Sequence, residues 1–119
     1  MKNFIILLLS FISFNAIGAG TSSSTDNSTE TADQIITLYE LAEKHIDNHS
    51  YDKSLKLLKK LTKREDLGTK RADIYNLLGF SYRKLENPDL DKSFSAYMMA
   101  IEIDPSHLGA HEYLGELYL

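Results

Sequence analysis

Residues 72–119 read ADIYNLLGFSYRKLENPDLDKSFSAYMMAIEIDPSHLGAHEYLGELYL, and this stretch decides how the rest of the chain is understood. Tyr75-x2-Leu78-Gly79-x2-Tyr82 returns as His111-x2-Leu114-Gly115-x2-Tyr118, and between the copies lie Ser93-x3-Tyr97-x2-Ala100 and Pro105. Such recurrence marks a repeat architecture, in which one supersecondary unit is copied and stacked. Spacings of three and four put Tyr75, Tyr82, Tyr97 and Ile101 on helical faces, and Gly79, Ser93 and Ala100 sit where a small side chain lets two helix backbones approach. One such hairpin cannot bury its own apolar face, so neighbours are expected to cover it.

A weaker copy lies upstream. Leu38-x2-Leu41-Ala42-x2-His45 precedes the Tyr75 cluster by 37 residues, with Ser54-x3-Leu58-x2-Leu61 as its second helix. The Leu-small pairs are therefore 37 and then 36 residues apart, and the extra residues fall in Glu65-Asp66-Leu67-Gly68 and Glu86-Asn87-Pro88-Asp89, where turns tolerate insertion.

The order of aromatic, Leu-Gly, aromatic, small, aromatic, small and Pro resembles the tetratricopeptide repeat (TPR), from about Thr31 to Leu119. NLLGFSYRKL and IEIDPSHLGAHEYLGELYL are similar to small exported bacterial TPR proteins. The resemblance implies an all-α fold of about five helices, TPR-type antiparallel hairpins stacked as a short right-handed solenoid. Repeat 1 would span 32–68, repeat 2 69–105, and the first helix of repeat 3 106–119. It also implies that the chain ends inside its third repeat, where such a protein would continue into a partner helix.

Capping signals and turn residues give helices over 32–47, 51–64, 70–85, 88–103 and 108–119. Thr31-x2-Gln34 fits a capping box, Ser50 a side-chain cap for the second helix, and Pro88 the first turn of the fourth. No window alternates as a strand would.

Before the repeats, Met1-Lys2-Asn3 leads into an apolar run over 4–14 and then Ala16-Ile17-Gly18-Ala19-Gly20, the pattern of a secretory signal peptide over 1–19. The run is shorter than the roughly 20 residues of a bilayer span. Cleavage is therefore expected ahead of retention as an anchor, leaving a periplasmic or secreted product without a membrane span. The absence of Cys excludes lipid attachment, a disulfide framework and a thiolate metal site. GTSSSTDNSTE carries no apolar residue and gives a disordered tether over 20–31, ending at the capping Thr31.

Charge is divided. Eight Lys or Arg stand between Lys53 and Arg71 against Glu65 and Asp66, whereas from Glu86 onward seven acids accompany Lys92 alone. Lys53, Lys56, Lys60 and Lys63 form one helical stripe, first of all a solvated face and secondly a contact for an anionic partner. Nucleic acid is not expected, since aromatics do not interleave with the stripe and export would separate the two. His107 and His111 have ligand spacing, but His111 fills the slot of Tyr75 and no third ligand supports a metal. No phosphate loop or nucleophile elbow occurs, so neither enzyme nor cofactor is expected.

In TPR proteins the first helix of each unit lines a concave surface that holds a peptide or a partner helix. By that resemblance the contacts are Ile36, Tyr39, Glu43 and Asp47, then Asp73, Asn76, Phe80, Arg83 and Lys84, then Glu112 and Glu116. Asn76 would bond peptide backbone and Phe80 would offer apolar contact. Tyr39 and Glu43 stand where chaperone-binding repeats carry Lys and Asn, so capture of a chaperone carboxylate is not expected. Tyr113, Leu114, Leu117 and Tyr118 would be uncovered at the open end and favour self-association. The implied function is a non-enzymatic protein–protein interaction module, an adaptor or scaffold of the cell envelope with another protein or peptide as partner. The alternatives are a truncated TPR protein with little function of its own, or a small periplasmic peptide-binding co-chaperone.

Overall fold

Ile35, Tyr39 and Ala42, spaced four and three apart, are the buried positions of the first helix, and that period explains why the segment is helical at all. The computed structural model describes residues 31–119. Every regular element among the described residues is an α-helix and none is a strand: α1 (31–47), α2 (Tyr51–Leu61), α3 (Lys70–Lys84), α4 (Leu90–Ile103) and α5 (Leu108–Leu117). The chain divides after Asp33, and Gln34–Leu119 form one compact unit. The export segment expected over 1–19 and most of the tether over 20–31 lie outside the described residues, and Thr31, assigned to the tether, is already helical. No described helix is long and apolar enough to cross a membrane.

Helix α3 packs against α2, α4 and α5. It buries Ala72, Ile74, Asn76, Leu78, Gly79, Ser81 and Tyr82, which wrap around the helix instead of forming one stripe. The core unites Ile35, Tyr39 and Ala42 of α1 with Leu58 and Leu61 of α2, Leu67, Ile74, Leu78 and Tyr82 around α3, and Ala96 of α4. Each fully buried Leu or Ile here contributes about 1.5–3 kcal/mol of transfer free energy.

Small residues set how closely the helices come. A Cβ on Gly79 would lie 2.7 Å from Cδ1 and Cε1 of Tyr97, whose ring is fully buried. The Ser93 hydroxyl donates to the Gly79 carbonyl at 2.7 Å beside this crossing. Across α2 and α3 the hydroxyls of Ser54 and Ser81, both fully buried, pair at 2.8 Å. The hydroxyls of Ser54, Ser81 and Ser93 are thereby satisfied; each left unpaired would cost about 1–3 kcal/mol.

Helix ends depart from expectation in three places. Ser50 stands at the N-cap of α2 but makes no side-chain cap bond; its carbonyl accepts from Lys53 and Ser54 instead. The preceding turn explains this: His49 takes φ +60°, with Ser50 N bonded to His45 O and His49 N to Ile46 O, so the backbone itself closes α1. Pro88 lies ahead of α4 and not in its first turn, because Asp89 is the cap, its Oδ1 accepting from Lys92 N at 3.1 Å. Helix α2 stops at Leu61, where the Thr62 hydroxyl bonds back to Lys59 O, so Lys63 and Arg64 follow the helix.

Candidate functional site

Asp73, Asn76, Phe80 and Arg83 recur every three or four residues along α3 and so share one face, and α5 lies against that face. His107, the N-cap of α5, fixes the upper end. Its Nδ1 accepts from Ala110 N at 3.1 Å, which places the ring proton on Nε2, and Nε2 donates to Asp73 Oδ1 at 2.7 Å. One imidazole thus both starts α5 and ties it to α3.

One turn further along, Asn76 is 9% exposed and lies against Gly109, where a Cβ would come within 3.0 Å of its Nδ2. The Oδ1 of Asn76 receives no hydrogen bond. Phe80 follows, its ring centroid 5.2 Å from Tyr113 and 6.1 Å from Tyr51, and Tyr113 in turn is 5.8 Å from Tyr97. The Arg83 guanidinium carbon is 5.6 Å from both the Phe80 and the Tyr113 centroids, and its NH1 forms an ion pair with Glu116. Its Nε is buried without a partner, as is the Tyr97 hydroxyl, whose phenol burial pushes well above the ordinary tyrosine range.

Of the residues expected from α1, Tyr39 is within electrostatic reach of Asp73 on α3. Tyr39 is nearly buried, with the Lys70 ammonium 4.4 Å from its ring centroid. Burial raises its phenol far above the usual value, and the carboxylates of Glu43 and Asp73 raise it further, so these three groups feel one another. Glu43, Ile36 and Asp47 are exposed. Lys84 is exposed with its Nζ 5.6 Å from the Phe80 centroid, and Glu112 is exposed on α5.

At the far end of α5, Tyr113, Leu114 and Leu117 are half-buried, whereas Tyr118 is 73% exposed and meets Phe94 edge-on at 6.1 Å. No atom approaches within 4 Å of a Cβ placed on Gly115, although this glycine occupies the slot that Gly79 fills tightly. His111 Nε2 lies 2.7 Å from the Pro105 carbonyl. No group of three or more His, Asp or Glu able to hold a metal occurs among the described residues.

Asp73 and Arg83, expected among the contacts for a peptide or partner helix, pair here with His107 and Glu116 of α5. Sequence reasoning missed this use of His107 and Glu116, and also Tyr51 and Lys70, which complete the ring contacts from neighbouring elements. The available signal was separation: Asp73–His107 and Arg83–Glu116 are 34 and 33 residues apart, close to one repeat. Comparison with protein-family models, with curated proteins and with solved structures finds no match to this chain.

Proposed function

We propose that the chain is a TPR-type protein–protein interaction module, exported through its N-terminal segment, which works as an adaptor or scaffold in the cell envelope and whose face on α3 and α5 holds an extended peptide. The observation that carries this reading is the bank of half-buried rings on this face, Phe80 and Tyr113, with centroids 5.2 Å apart. Asn76 is the backbone contact that the TPR resemblance gives, and its buried, donor-less amide oxygen would have to turn outward to accept a peptide N–H. Phe80 and Tyr113 offer apolar faces to an incoming side chain, with Lys84 and Glu112 exposed at the margins. Because Asp73 and Arg83 are already paired with α5, this face is held rigid before a ligand arrives, which lowers the entropic cost of binding. The close Gly79–Tyr97 crossing and the Leu-small recurrence support TPR-type stacking. Export rests on the sequence of residues 1–19.

The test is selection of binders from a random peptide library on the full chain, followed by titration into isotope-labelled protein. Shifts clustered at Asn76, Phe80 and Tyr113 are expected, with Asn76→Ala or Phe80→Ala weakening binding about tenfold, the worth of one good contact. Leu114→Ser/Leu117→Ser leaves that binding unchanged. A peptide that binds equally well to the Asn76→Ala and Phe80→Ala variants, or failure to select any, sinks the reading.

A further inference from the structure

Two exposed helix faces carry charges that find no partner among the described residues. On α2, Lys53, Lys56, Lys59 and Lys60 are all exposed, Lys63 continues the line, and none pairs with a carboxylate or lies over a ring among the described residues. Leu55 is half-buried at the margin of this basic face, and Asp52, Leu55, Lys56, Lys59, Lys60 and Lys63 line one surface depression. On α4, Leu90, Phe94 and Met98 are 53, 37 and 43% exposed and, at intervals of four, form an apolar stripe. Asp91 and Glu102 fall next to that stripe on the helix surface, exposed and without an ion pair among the described residues.

We propose that the chain associates head to tail with copies of itself, the lysine face of α2 in one copy covering the Leu90–Phe94–Met98 stripe and its Asp91–Glu102 margin in the next. The two faces match in both respects, an apolar edge beside a row of opposite charge. A symmetric pairing through either face alone sets lysine against lysine or carboxylate against carboxylate, which the charges oppose. Helices α2 and α4 do not touch within one chain, so neither face satisfies the other internally. With a formal net charge of −4 the copies gain nothing from net attraction, and association depends on this one orientation. A contact between two different faces does not close as a twofold dimer, so it builds a ring or an open filament according to the rotation between copies. The proposal stands on these two faces and is independent of the peptide-binding surface on α3 and α5.

Sedimentation velocity of the full chain over a concentration series, at about 50 and about 500 mM NaCl, tests it. At low salt the weight-average mass rises with concentration. High salt weakens association about four- to ninefold, the loss of two exposed pairs at roughly two- to threefold each. Lys56→Glu/Lys59→Glu/Lys60→Glu and Asp91→Lys/Glu102→Lys are each monomeric alone, with unchanged circular dichroism, and associate when mixed. A monomer under every condition overturns the proposal, as does self-association indifferent to salt and to lysine reversal, which would mean apolar faces pairing with themselves. Binding of a monomeric chain to phosphatidylglycerol vesicles, lost on lysine reversal, also overturns it, by assigning the basic face to lipid.

Discussion

Replacing Gly79 by Ala sets a helix-propensity gain against a steric loss, and the structure decides the sign. In an open helix position the substitution stabilises by about 0.5–1 kcal/mol, because Ala surrenders less backbone freedom on folding. At Gly79 the new methyl meets Cδ1 and Cε1 of Tyr97 at 2.7 Å and Cγ at 3.0 Å, well inside ordinary contact. The ring cannot swing aside, since it is fully buried and already faces Tyr113. Parting α3 from α4 instead lengthens the 2.7 Å bond from the Ser93 hydroxyl to the Gly79 carbonyl. Overpacking of this kind costs about 1–3 kcal/mol and a weakened hydrogen bond about 1 more. The net expectation is a loss of about 1–3 kcal/mol, which lowers Tm by roughly 5–15 °C for a domain of this size. Gly115→Ala is the control, because its methyl meets nothing within 4 Å and the propensity gain remains, raising Tm by a few degrees. Thermal melts followed by far-ultraviolet circular dichroism separate the two. Gly79→Ala melting at or above the parent temperature would refute the close approach of α3 and α4.

Two further outcomes follow from the helix ends and the buried phenols. His107→Ala removes the cap of α5 and the partner of Asp73, costing about 1–2 kcal/mol in urea titrations, whereas His107→Asn restores about half through its own cap oxygen. Equal stability of both variants and parent would show that α5 does not depend on this imidazole. The Tyr39 and Tyr97 phenols are raised by burial, so the unfolded chain ionises first: stability is full below about pH 10 and falls as pH rises beyond it. Tyr39→Phe makes that alkaline decline shallower, and urea midpoints that fall in parallel for parent and variant would count against the burial.

How far the sequence carried depends on whether information was local. Helix period and Leu-small pairs sufficed for the all-helical fold of the described residues, and Gly79 and Ser93 do lie at a close crossing, because both features follow from one side chain's size against its neighbours three and four away. Cap chemistry was less legible: Ser50 and Pro88 fit common rules, but His49 at φ +60° and Asp89 with its Lys92 bond settled those ends instead. Two competing local solutions of similar energy cannot be ranked from composition. The face on α3 was placed by analogy; in the structure Asp73, Asn76, Phe80 and Arg83 share one side of the helix, as their spacing requires. What the sequence concealed was that Asp73 and Arg83 spend their charge on α5, since a helical period tells which way a side chain points and not what waits there. Tyr39 shows the same limit, for its spacing suited a groove contact as well as the near-complete burial it has.

The chain holds no tryptophan, so its ultraviolet signature belongs to seven tyrosines and five phenylalanines. Tyr51, Phe80, Tyr113 and Tyr97 form a relay with successive centroids 6.1, 5.2 and 5.8 Å apart, one ring from each of α2, α3, α5 and α4. Chromophores at such separations couple excitonically and take on optical activity from the handed frame that holds them. The folded protein therefore contains its own optical gauge, in which the relay's share of the near-ultraviolet dichroism, beside that of Tyr39, Tyr75, Tyr82 and Tyr118, varies with the mutual orientation of four helices.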